Sequence, residues 1–149
     1  MKAMTPLLLA RLLLLVEGVY FLMTGVWPLL HLESFLAVTG PKRDLWLVQT
    51  VGALLGVMGL TMLLGAWRRA GAEAIFLAVA AAATLATVDV VFVARRAIGP
   101  IYLLDALAEL LLLAAWVGVG IALRQVHVQT PRAGKEKFAG HLAILPTGR

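Results

Sequence analysis

Residues 101–123 read IYLLDALAELLLLAAWVGVGIAL. The run is long enough to cross about 30 Å of hydrocarbon at about 1.5 Å per residue in a helix. It is apolar around its whole circumference, unlike the one-sided stripe of a soluble surface helix. Two acids, Asp105 and Glu109, interrupt it, and no base accompanies them. An ionisable side chain at this depth costs about 2.5–3.5 kcal/mol on insertion scales, so each such acid calls for a physical reason.

The same signal occurs three more times, over Pro6–Leu30, Leu45–Trp67 and Glu73–Ala94. Of the 149 residues, 62% are hydrophobic and 14% charged, and the mean hydropathy is +0.95. A soluble domain carries about 25% charged residues, so this chain lacks the polar shell that water demands. The pattern predicts an all-α, integral membrane four-helix bundle over residues 1–123, followed by a basic, mobile cytoplasmic tail over 124–149. Lys2 precedes an apolar run, but that run is too long for a signal peptide and lacks a small-x-small cleavage site.

Basic residues set the expected orientation. With the N-terminus inside, Lys2, Arg11, Arg68, Arg69, Arg124, Arg132, Lys135 and Lys137 fall on one side, and Lys42, Arg43, Arg95 and Arg96 on the other. The positive-inside rule then places both termini in the cytoplasm of a bacterial-type inner membrane. Trp27, Trp46 and Tyr102 near the outer boundary and Trp67 near the inner one form an aromatic belt. Pro28 is expected to weaken the end of the first span. Residues His31–Val38 are amphipathic and too short to span, which predicts a short interfacial helix. The net charge of +5 is scattered in pairs and does not form a nucleic-acid footprint. Cysteine is absent, which excludes disulfides and thiolate chemistry.

Four acids lie within the spans: Glu17, Asp89, Asp105 and Glu109. Counting from the outer ends, Asp105 lies about 6 Å deep, Asp89 about 8 Å, Glu109 about 12 Å and Glu17 about 20 Å, with Gln49 at about 5–6 Å. Glu17, Thr24 and His31 repeat every seven residues with Tyr20 on the same side, and Tyr102, Asp105, Glu109 and Trp116 share a stripe. Gly52, Gly56 and Gly59 form a small-residue seam that lets backbones approach closely.

These patterns predict a polar pocket opening outward. Its candidate catalytic groups are Glu17, Asp89, Asp105 and Glu109, and its candidate ligand contacts are Tyr20, Thr24, Gln49, Tyr102 and Trp116. Asp105 and Glu109 repel if both ionise, so the pair is expected to share a proton. The bland alternative pairs Asp89 with Arg96, or Asp105 with Arg95 or Arg96, in interfacial ion pairs that only fix the loop. No Glu-x-x-His, HExxH, hydrolase elbow or phosphate loop occurs, so no metal and no cofactor are expected.

The stretches Thr39–Gly52 (TGPKRDLWLVQTVG), Asp89–Val93 (DVVFV) and Ile98–Ala106 (IGPIYLLDA) resemble small bacterial four-helix inner-membrane proteins of the DoxX-like group. That resemblance implies a fold and a compartment more than an activity. A more distant similarity is to emopamil-binding-type proteins, which hold sterols or amphipathic amines between membrane helices with buried acids. His31 does not match their in-helix histidine, so no catalytic residue carries over.

Three readings of function follow. The first is a bundle binding a small amphipathic, lipid-like or cationic ligand, or an enzyme moving protons on an apolar substrate by isomerisation, hydration or cyclisation. The second is a proton-coupled exporter acting as a homodimer, with Glu17 as the coupling acid. The third is an accessory subunit whose Gly52–Gly56 seam packs a partner helix. Membrane lipid is a partner in all three, and nucleic acid in none.

Overall fold

The computed structural model describes residues 4–68 and 70–142 and is helical throughout its regular structure. Lys2 and Arg69, two of the residues used for orientation, lie outside the described residues, as do residues 143–149 at the end of the expected tail. Five helices follow in order: α1 (Met4–Leu30), α2 (Leu32–Thr39), α3 (Leu45–Trp67), α4 (Ala72–Ala94) and α5 (Tyr102–Leu142). Four of them contain segments long and apolar enough to cross a membrane: Pro6–Leu30, Leu45–Trp67, Ala72–Ala94 and Tyr102–Gln125. The fold is a four-helix membrane bundle.

The distribution of side chains is that of a body solvated by lipid. Leu8, Leu30, Leu54, Leu64, Phe76 and Leu111 are exposed, while the buried positions of α3 and α4 are mainly glycine and alanine. Lipid tails are as apolar as leucine, so leucine gains little by facing inward. Small residues let helices close together and gain dispersion contact instead. Leu14, Phe21, Met62 and Trp116 fill what the small residues leave.

Packing is uneven. α1 lies most extensively against α3, and α4 against α5, and the two pairs meet along α1–α5, α3–α4 and α1–α4. The α1–α3 contact is the glycine seam. A Cβ on Gly52 would stand 2.6 Å from the Gly25 carbonyl oxygen and 2.9 Å from the Pro28 ring. One on Gly59 would stand 2.6 Å from the Leu22 nitrogen. Gly56 is less constrained, with only Val26 Cγ2 at 4.0 Å. The seam is therefore occupied within the chain by α1, which leaves it unavailable to a partner helix.

Pro28 does not end α1 early. It sits in the last turn, buried against Gly52, and the helix runs on to Leu30. The cost is one absent donor to the Thr24 carbonyl, tolerable so near the terminus. α2 folds back on this end: Trp27 Nε1 donates to Ser34 Oγ at 2.8 Å, and the Trp27 and Phe35 rings meet edge to face at 5.6 Å. None of its residues is buried. At the other end, Arg11 Nε donates to the Ala66 carbonyl at 2.9 Å, tying α1 to the last turn of α3.

The α5 backbone remains helical to Leu142 without a break at residue 123. Residues 124–130 contain no glycine or proline, and the helical run also takes in Pro131 and Gly134.

Candidate functional site

Three helices supply the acids, and burial singles them out. Glu17 on α1 and Glu109 on α5 have 0% of their surface exposed, and Asp89 on α4 has 5%. Asp105, one turn from Glu109 on α5, is half-buried. Each lies on its helix's inward stripe. Asp89 continues the line Ala78, Ala82, Ala86, and Glu109 lies between Ala106 and Trp116. Glu17 stands between Leu14 and Phe21. Glu109 is close enough for the charges of Asp105, Glu17 and Asp89 all to act on it. The four acids form one group.

Two cross-helix hydrogen bonds frame the group. Trp116 Nε1 donates to Glu17 Oε2 at 2.8 Å, and the Tyr20 hydroxyl donates to Asp105 Oδ1. Both join α1 to α5, and their order along the two chains shows the helices to be antiparallel. Between them in sequence lies Glu109, and neither of its carboxyl oxygens has a hydrogen-bond partner. Glu17 Oε1 and Asp89 Oδ2 are likewise unpartnered. An unsatisfied buried polar atom costs about 1–3 kcal/mol, more if charged. Four carboxylates in one low-dielectric region cannot all be ionised without a countercharge. The cluster is thus suited to holding protons, or a cation brought from outside the chain.

The expected ion pairs do not form at the buried oxygens. Arg95 and Arg96 are exposed in the turn after α4, Arg96 with a φ of 57°, while Asp89 Oδ2 has no partner. The helix ends at Ala94, so Arg95 and Arg96 do not continue the face that carries Asp89.

Of the expected ligand contacts, Tyr20 and Trp116 join the cluster through the bonds above. Thr24 is half-buried on α1. Tyr102 is half-buried at the start of α5 beneath Lys42, whose Nζ lies 5.2 Å from the ring centre. Gln49 is a correction: it is exposed on α3. It lies one turn before Gly52 on the glycine face, near the start of α3, a helix that makes little contact with α5. Thr84 and Thr87 are exposed and bond to their own helix backbone.

Glu17 and Glu109 have no exposed surface, while Asp105, nearer the outer end, is half-buried. A cavity of about 320 Å³ lies between Leu9–Val16 of α1 and Ala115–Val119 of α5. A smaller one, about 180 Å³, is lined by Arg11, Leu15, Ala66 and Trp67. Sequence reasoning missed the Glu17–Trp116 bond and the larger groove beneath it. Depth was the available signal: counted along α5, Trp116 lies about 22 Å from the outer end, close to the level of Glu17.

Among the described residues no group of three or more His, Asp or Glu is arranged to hold a metal ion. No family model, no curated protein and no solved structure matches this chain.

Proposed function

We propose that this chain is a multi-pass protein of a bacterial-type inner membrane, with both termini cytoplasmic, that binds a small amphipathic cation at its buried carboxyl cluster. The observation that carries this reading is Glu109: fully buried, unpartnered at both oxygens, and one turn from Asp105 on α5. A fold does not retain such a group for stability, since an apolar residue there would cost less. A protonated or quaternary nitrogen would give the carboxyls the countercharge they lack. A protonated member of the cluster beside an ionised one also suits acid–base chemistry on an apolar substrate. The sequence likeness to the DoxX-like group is in keeping with this compartment.

The test is direct binding of tetraphenylphosphonium, a lipophilic cation, to the protein in nanodiscs. Glu109→Gln is expected to lose at least ten-fold in affinity, and Glu33→Gln, on the exposed α2, to bind as the parent does. Equal affinity in Glu109→Gln and the parent would remove the reading.

Proton-coupled export is a second reading, favoured by the sealing of Glu17 and Glu109. A coupling acid must be closed off from at least one side at every moment, or protons leak. In proteoliposomes, pH-driven efflux of a cationic dye that disappears in Glu17→Gln would support it. Absence of pH-driven flux in the parent would leave binding alone.

A further inference from the structure

The last turn of α3 is capped from another helix. The Leu64 and Gly65 carbonyls accept from the backbone N–H groups of Arg68 and Ala70, and the Ala66 carbonyl accepts from Arg11 Nε on α1 at 2.9 Å. The final carbonyls of a helix have no partner of their own, so this bond has a structural use. It employs one donor of a guanidinium that carries several more, and Arg11 makes no other hydrogen bond from its side chain among the described residues. The side chain is exposed, yet it is anchored opposite the penultimate residue of α3. Arg11, Leu15, Ala66 and Trp67 line the cavity of about 180 Å³ at this corner. Sites that enclose a whole small molecule measure roughly 300–1,000 Å³, so this notch suits one end of something larger. Trp67 is 85% exposed and Arg68, also exposed, follows it directly, which marks this level as the boundary between hydrocarbon and head groups. α3 contains no acid, and the acid of α1, Glu17, lies about 9 Å deeper. Glu73 of α4 is the nearest in level, and its Oε2 lies beside Gly71 at the start of its own helix.

We propose that this notch seats the phosphodiester of an anionic phospholipid, in the leaflet where α1 begins, with the Arg11 guanidinium as its anchor. The proposal is independent of the carboxyl cluster and goes beyond the function proposed for it. A guanidinium whose Nε is occupied still presents its Nη N–H groups as a fork, which matches two oxygens of a phosphate. Such charge-assisted bonds are roughly twice as strong as neutral ones, and a low-dielectric border strengthens them further. Trp67 supplies a ring that is apolar in body and polar at one edge, suited to the glycerol level. Leu15, one turn deeper than Arg11, continues the notch toward the acyl chains. A net negative head group is favoured over a zwitterionic one, whose tethered ammonium would meet Arg11 and Arg68 with no acid of α1 or α3 at that level to offset them. The seated phosphate also offsets the cost of holding a charge so close to hydrocarbon.

The experiment is native mass spectrometry of the full chain released from detergent micelles, titrated with phosphatidylglycerol or phosphatidylcholine. The parent is expected to retain phosphatidylglycerol saturably and phosphatidylcholine several-fold less well. Arg11→Gln should weaken phosphatidylglycerol retention roughly ten-fold or more, the scale of losing charge-assisted hydrogen bonds. Arg11→Lys keeps the charge without the fork and should fall between the two. Arg124→Gln removes the same charge from α5, which does not line the notch, and should bind as the parent does. Inorganic phosphate should leave the bound lipid in place, and its displacing the lipid would overturn the lipid as occupant. Equal retention of the two lipids by the parent, or parent-like retention in Arg11→Gln, overturns the proposal. Equal losses in Arg11→Gln and Arg124→Gln also overturn it, by revealing attraction to diffuse surface charge. Thermal unfolding checks each variant, because Arg11→Gln removes the bond to Ala66 as well. If that variant does not fold, Trp67→Ala takes away an exposed wall of the notch and leaves Arg11 in place. It should weaken retention several-fold, and parent-like retention there overturns the proposal.

Discussion

Trp116 Nε1 on α5 donates a 2.8 Å hydrogen bond to Glu17 Oε2 on α1, joining the first and last spans across 99 positions of sequence. It is the one buried side-chain hydrogen bond between spans among the described residues, and it uses one of the two oxygens of a fully buried acid. Trp116→Phe keeps most of the ring and removes the donor. The expected loss is about 1–3 kcal/mol of stability, as for a buried acceptor left without its partner. Thermal unfolding in detergent measures it, and a double-mutant cycle with Glu17→Leu isolates the bond. Additive effects of the two substitutions would mean that the bond contributes nothing.

Glu109 makes the opposite expectation. Its carboxyl group lacks any hydrogen-bond partner, so Glu109→Leu should raise stability, by about 2 kcal/mol or more on the scale of membrane insertion costs. The same substitution should abolish cation binding. A variant that is both less stable and still able to bind would contradict this trade.

The glycine seam predicts a contrast between neighbours. Gly52→Ala forces a methyl group against the Gly25 carbonyl and the Pro28 ring and should cost about 1–3 kcal/mol, as overpacking does. Gly56→Ala, with its nearest atom at 4.0 Å, should be near neutral. Unfolding of the two variants side by side decides the matter, and equal effects would show that the helices part easily.

Orientation is accessible because the chain has no cysteine. Ala37→Cys on α2 and Gln125→Cys at the far end of the fourth span leave every basic residue in place. In intact cells an impermeant maleimide should label the cysteine at position 37, and reach that at 125 only after permeabilisation. The reverse pattern would invert the bundle.

The spans were legible because lipid imposes a long, simple requirement: Pro6–Leu30 and Leu45–Trp67 match between sequence and structure residue for residue. The acids of α1, α4 and α5 were legible by cost, since hydrocarbon makes each conspicuous. Gln49 was misplaced because depth says how far along a helix a residue lies and nothing of which neighbour covers it. That depends on the α3 glycines choosing α1, a decision made by packing. Side-chain periodicity reveals a polar stripe, but whether the stripe lines a gap or closes on itself depends on bulky partners such as Phe21 and Trp116. Polarity after Leu123 marks the exit from lipid and says nothing of where the helix ends, which for α5 is Leu142.

The uneven packing of the spans has a mechanical meaning. α1 is fastened to α3 by backbone contact, and α4 leans chiefly on α5, so the spans pair as two hairpins that meet along α1–α5, α3–α4 and α1–α4. Glu17 belongs to one hairpin, and Asp89, Asp105 and Glu109 to the other. Rocking where the hairpins meet would separate the acids and break the Tyr20 and Trp116 clasps along with part of the shared core. Whatever settles among the carboxyls therefore also determines how far the two halves stand apart.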